Sequence, residues 1–152
     1  MERAVWPWPE DLLPHRPGML LLERIVSLDD RKVVAGAVTS AGWPLVDNGR
    51  ISSLLCLELM AQTVGLIMGW NRRSKGRPRM GFLVGIKSAS LHQPHLPTGR
   101  ELVISAEVLS SHGGLGTFQA RVLADREPLA EAVLQVYDPE TAEFFPAGSS
   151  TE

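Results

Sequence analysis

The chain has 152 residues, 44% of them hydrophobic, and a formal net charge of −2. That size suits one domain, or one protomer of a dimer. The composition excludes disorder over most of the length, and the charge offers no general basis for binding nucleic acid. A single cysteine, Cys56, excludes an internal disulfide.

The opening MERAVWPWPEDLLP carries Pro7, Pro9 and acidic residues where a secretory signal needs an apolar core, so a cytoplasmic protein is expected. Residues 1–17 are expected to wrap the surface, with Trp6 and Trp8 covering an apolar patch. Met19 to Ser27 reads as a strand, Asp29-Asp30-Arg31 as a turn, and Lys32 to Ser40 as a second strand antiparallel to the first. Residues 41–50 form a loop of turn formers that ends near a helix cap at Ser52 or Ser53. The helix is expected to run to about Arg72 and to stop in the basic stretch 72–79. Phe82 to Leu91 reads as extended. Glu101 to Leu109 alternates, with Leu102, Ile104, Ala106 and Val108 on one face. A turn at His112-Gly113-Gly114 leads to strands over Phe118 to Ala124 and Leu129 to Tyr137, separated by a turn at 125–128. From Asp138 a polar tail is expected to fray.

Within the run from Ile51 to Trp70, Glu58 is the only charged residue. A carboxylate buried there is costly unless it is used or paired, and burial pushes such a group toward the neutral acid, where it serves as general acid or base. Gln62 follows at i+4 on the same face, placed to hydrogen-bond it. Twenty helical residues span about 30 Å, enough to cross a bilayer. The glutamate, the glutamine and the paired serines argue for a buried soluble helix instead. Cys56, in the same run, reads as a small buried hydrophobe.

Two strands, one long apolar helix and a further run of antiparallel strands make an α+β domain over 1–152. A curved sheet wraps the helix, with an arm at 1–12 and a tail at 138–152. One sheet does not close around so apolar a helix, and a dimer that extends the sheet is the natural remedy.

Four segments resemble a known family. Leu13-Pro14-His15-Arg16-Pro17-Gly18-Met19 through Arg24 looks like the opening of the hot-dog-fold 3-hydroxyacyl-[acyl-carrier-protein] dehydratases. Glu58-Leu59-Met60-Ala61-Gln62 resembles their helix signature, in which the glutamate is catalytic. Phe82 to Lys87, followed by Pro94 to Leu102, is similar to their segment after the helix. The likeness runs from about residue 12 to 137. Those enzymes also carry a catalytic histidine in a His-Phe-Pro motif about fourteen residues before the glutamate. Here that stretch reads Gly42-Trp43-Pro44-Leu45-Val46-Asp47, without histidine. The chain looks like a divergent branch, as in the dehydratase-like proteins associated with aryl polyene biosynthesis.

The resemblance implies a hot-dog fold and loss of water from a 3-hydroxyacyl thioester on an acyl carrier protein, as in fatty-acid biosynthesis. It also implies a homodimer, or a heterodimer with a second hot-dog protein, with sites at the interface. Glu58 is the first catalytic candidate and His15 the second. His15 is otherwise a structural residue of the N-terminal turn, and Asp47 is a weaker candidate within a ready-made turn. Ser52 and Ser53 backbone N–H groups, with Gln62 and Gly85, are the candidates for holding substrate. His92, His95 and His112 read as surface or turn residues. No spacing fits a metal site and no glycine-rich phosphate loop appears, so no cofactor is expected. The run 72–79 either docks an acidic carrier protein or complements the helix C-terminus. Two other readings stay open: a half-catalytic or non-catalytic subunit that pairs with another dehydratase, and a hot-dog thioesterase.

Overall fold

The computed structural model describes residues 5–14, 18–73 and 81–138. In chain order the elements are α1 (Pro9–Leu12), β1 (Arg24–Leu28), β2 (Lys32–Val38), β3 (Val46–Asp47), β4 (Arg50–Ser52) and α2 (Leu55–Asn71). After α2 come β5 (Phe82–Leu91), β6 (His95–Pro97), β7 (Glu101–His112), β8 (Leu115–Ala124) and β9 (Glu127–Tyr137). Six strands form one antiparallel sheet in the order β1-β2-β7-β8-β9-β5. β3, β4 and β6 make a small second sheet. Helix α2 packs against β2, β7, β8 and β9. This is the α+β hot-dog arrangement expected, a sheet around one buried helix.

Local chemistry explains most boundaries. The Asp29 carboxylate accepts from the Arg31 and Lys32 N–H groups, both at 2.8 Å, and closes the β1–β2 turn where it was expected. In β7, Leu102, Ile104, Ala106 and Val108 are buried as the alternation predicted. β7 runs on to His112, because the turn needs only Gly113 and Gly114, both at positive φ (57° and 84°). Such two-residue turns match the twist of paired strands. β8 accordingly begins at Leu115 rather than Phe118. Asp125 and Arg126 make the next turn at φ 49° and 67°, so β9 begins at Glu127.

Three expectations need correction. β1 starts at Arg24, not Met19, because Met19 and Leu21 direct their backbone polar groups to the side chain of Gln62 instead of a strand. α2 is capped at Leu54, with no side-chain cap. Ser52 belongs to β4, and its hydroxyl accepts from Leu54 N–H at 3.3 Å. Asp138 is not the start of a frayed tail: it is 2% exposed and forms an ion pair with Arg72 at 2.6 Å. The rest of the expected tail, 139–152, lies outside the described residues.

The N-terminal arm does more than cover the surface. Leu12 and Leu13 are buried in the core. Gly69 allows this approach, since a Cβ there would collide with the Leu12 carbonyl oxygen, and one on Gly65 would lie 2.8 Å from Leu13 Cδ2. Trp6 meets Trp70 edge to face at 5.9 Å and donates its indole N–H to the Val26 carbonyl. Trp8, by contrast, is exposed. No described helix is long and apolar enough to cross a membrane.

Candidate active site

No residue from Leu55 to Asn71 is exposed, yet the two sides of α2 differ. Cys56, Met60, Thr63 and Ile67 are fully buried on one side. At 100° per residue, Glu58, Ala61 and Gly65 fall on roughly the opposite side, and all three are half-buried. They line a pocket of about 180 Å³ together with Leu13, Pro14, Val64, Met68, Gly81, Leu83 and Val136. Among the described lining residues, Glu58 alone is ionisable. The remainder is apolar, a lining whose chemistry suits a hydrocarbon chain, and a carboxyl group is the one side chain there able to transfer a proton.

Gln62 fixes that group. Its Nε2 donates to Glu58 Oε1 at 2.8 Å and to the Met19 carbonyl at 2.7 Å, and its Oε1 accepts from Leu21 N–H at 3.0 Å. Gln62 is 1% exposed, so its amide cannot turn over without leaving buried backbone groups unmatched. One carboxyl oxygen of Glu58 is therefore always an acceptor from the amide. Glu58 itself is half-buried rather than sunk in the core as its sequence context implied, and it opens onto the pocket.

The other expected site residues are placed as follows. His15 lies outside the described residues, but Leu13 and Pro14 immediately before it line the pocket with Glu58. Ser52 and Ser53 are not placed to hold a thioester oxygen. The Ser52 N–H donates to the Leu45 carbonyl and the Ser53 N–H to the Pro94 carbonyl, each at 3.0 Å, so both are used within the fold. Gly85 sits on β5 opposite Gln135, two residues beyond the lining residue Leu83 and past a bulge. Asp47 is exposed in a β3–β4 hairpin whose turn, Asn48 and Gly49, has φ 51° and 73°; its part is the turn. His92, His95 and His112 are exposed.

Two cations of the basic run have local duties. Arg72 binds Asp138, and Arg73 lies 3.8 Å over the Trp70 ring while donating to the Trp70 carbonyl. Residues 74–79 of the run lie outside the described residues. Burial pushes the Cys56 thiol up to about 11, so it stays protonated and inert at neutral pH. Among the described residues no His, Cys, Asp or Glu cluster fits a metal ion.

Sequence comparison decides the family: residues 7–146 match ApeP-like, ApeP dehydratase. The chain belongs to the ApeP-like dehydratase family. It is a hydro-lyase by that membership. It is also similar to the 3-hydroxyacyl-[acyl-carrier-protein] dehydratase FabZ of Thermus thermophilus, 31% identical over 81% of this chain and 89% of that one. The FabZ of Ralstonia nicotianae is 30% identical over 80% of this chain and 78% of its own length. Among solved structures, the ApeP-like chain superposes on a chain of the dehydratase heterocomplex ApeI:P from Xenorhabdus doucetiae. The TM-score is 0.81 at 24% identity, over 89% of this chain and 93% of that one. A hypothetical thioesterase with coenzyme A from Streptococcus pneumoniae TIGR4 has a TM-score of 0.62 at 16% identity, covering 79% and 86%. Both structural likenesses bear on the fold alone.

The sequence pointed to Glu58 and Gln62, and by resemblance to an apolar tunnel along the helix, but did not single out the lining residues. Ala61, Gly65 and Met68 recur at helical spacing from Glu58 and were legible as one stripe. Gly81, Leu83 and Val136 reach the pocket only through the sheet.

Proposed function

We propose that this chain removes water from a 3-hydroxyacyl thioester carried on an acyl carrier protein, with Glu58 moving one of the two protons. A base takes the proton next to the thioester carbonyl, the bond to the 3-hydroxyl breaks, and an acid protonates the leaving oxygen. The products are a 2-enoyl thioester and water. The observation that carries this reading is Glu58, held by Gln62 at the edge of an otherwise apolar pocket. His15 is the candidate for the second proton transfer, one residue beyond the lining residue Pro14.

A second reading is favoured by two observations. The turn 42–47 has no histidine, and no described histidine lines the pocket. On this reading the chain supplies Glu58 while a second hot-dog protein supplies the other group. Strand β5 supports pairing of either kind. It is an edge strand, and Phe82, Leu83, Val84 and Ile86 are 54%, 47%, 56% and 44% exposed. Such a strand is suited to pairing edge to edge with another sheet. Leu83 also lines the pocket, so a paired strand would complete its open side.

The test is mass spectrometry of a 3-hydroxyacyl carrier protein incubated with the purified chain, with Glu58→Gln and with His15→Ala. Loss of one water by the unmodified chain, abolished in both variants, supports the self-sufficient enzyme. Loss of water only after a second hot-dog protein is added, still abolished by Glu58→Gln, supports the shared site. Release of free acid instead would make it a thioesterase.

A further inference from the structure

Along α2, Met68 is the lining residue most distant from Glu58, and its seat is specific. From Glu58 to Met68 is ten residues, about 15 Å along the α2 axis. Met68 is the last residue of α2 in the lining and is buried. Its side chain lies over Gly81: a Cβ there would collide with Met68 Cε, lie 3.1 Å from its Sδ and approach Val136 Cγ1 at 2.7 Å. Behind this contact the two walls are tied together. Arg72, the C-cap of α2, lies four residues beyond Met68, Asp138 lies two residues beyond Val136, and the two form the 2.6 Å ion pair.

We propose that Met68, seated on the bare backbone of Gly81 and backed by the Arg72–Asp138 pair, is the end stop of the pocket. It sets the longest acyl chain the enzyme accepts. The inference rests on the proposed function only in taking the pocket as the seat of the acyl chain. The thioether is unbranched and soft, so it closes the space without fixing its shape. Val136 is β-branched and held in a paired strand, so it does not yield as Met68 does. A methyl group at Gly81 must therefore push Met68 into the pocket and shorten it. Truncating Met68 lengthens it.

The experiment is calorimetric titration of the full chain with pantetheine thioethers bearing straight alkyl groups of increasing length. Each added methylene that enters the pocket should tighten binding about fourfold, until the chain meets Met68. Beyond that length the gain should stop. In Gly81→Ala the break should come at a shorter alkyl group, and in Met68→Ala at a longer one. If Met68→Ala does not fold, Met68→Val shortens the side chain with less lost packing and should move the break the same way. A break that stays put in the variants overturns the end stop, as does failure of every probe to bind. A break that moves as expected, with no dehydration of any hydroxyacyl carrier protein, keeps the end stop and removes the assigned reaction. Dehydration with the same length profile in all three proteins does the reverse.

Discussion

The two sides of α2 share one helix and divide the labour. The side of Cys56, Met60, Thr63 and Ile67 is sealed in the core, and its one hydroxyl is absorbed locally, Thr63 donating to the Leu59 carbonyl at 2.7 Å. The opposite side carries Glu58, Ala61 and Gly65, stays half-buried and forms the pocket wall. The first side belongs to the core; the second faces the pocket. Gln62 stands between them, buried like the first side and aimed at the chemistry of the second.

The sharpest way to test that division is Glu58→Gln. An amide cannot exchange the proton, so the dehydration rate should fall by about 10²- to 10⁴-fold. Stability in urea should change by less than about 1 kcal/mol, since the position is half-buried and the new amide oxygen can still accept from Gln62 Nε2. A large loss of stability would mean that the pocket side also holds the fold. Ile67→Ala is the mirror experiment. Its cavity should cost about 3 kcal/mol in urea unfolding while the rate per folded molecule holds. Gln62→Leu should register on both axes. It leaves the Met19 carbonyl and the Leu21 N–H without their partner, costing about 2 kcal/mol. It also frees Glu58 from its fixed orientation, which a lower kcat at unchanged KM would show.

The last effect is confined to high pH and belongs to Cys56. Between pH 9, where the unfolded chain releases the thiol proton, and about pH 11, where the fold does, the native state binds the extra proton. Stability should therefore fall with rising pH in that window, by at most about 1.4 kcal/mol per unit. Cys56→Ala should remove that part of the slope in urea titrations at high pH.

How much of this was legible in the sequence follows from where each signal resides. Glu58 and Gln62 stood out because polarity inside an apolar run is local, and the strand alternation of β7 was visible for the same reason. The extent of β1 was not, because a glutamine 41 residues away from Leu21 takes the place of a neighbouring strand. The serines before α2 look like caps in any one-dimensional reading. Instead Ser52 is drawn into β4 and the Ser53 N–H donates to the Pro94 carbonyl, so α2 begins after Leu54 with no side-chain cap, an arrangement that exists only once the small second sheet has formed. Likewise the basic run reads as a docking surface or a complement to the helix end, and the contacts of its first two members with Asp138 and Trp70 appear only in the folded chain.

Strand β5 has a consequence for the cell. Among the described residues it pairs only with β9, it carries exposed aliphatic and aromatic groups, and Lys87 is its one charge. An edge of that kind templates aggregation as readily as it templates assembly. The yield of usable protein should therefore depend on dosage. Where a second hot-dog protein completes the sheet, the chain made far in excess of it should be cleared or precipitate, and made in step with it should stay in solution; where a second copy does so, the threshold should follow the chain's own concentration.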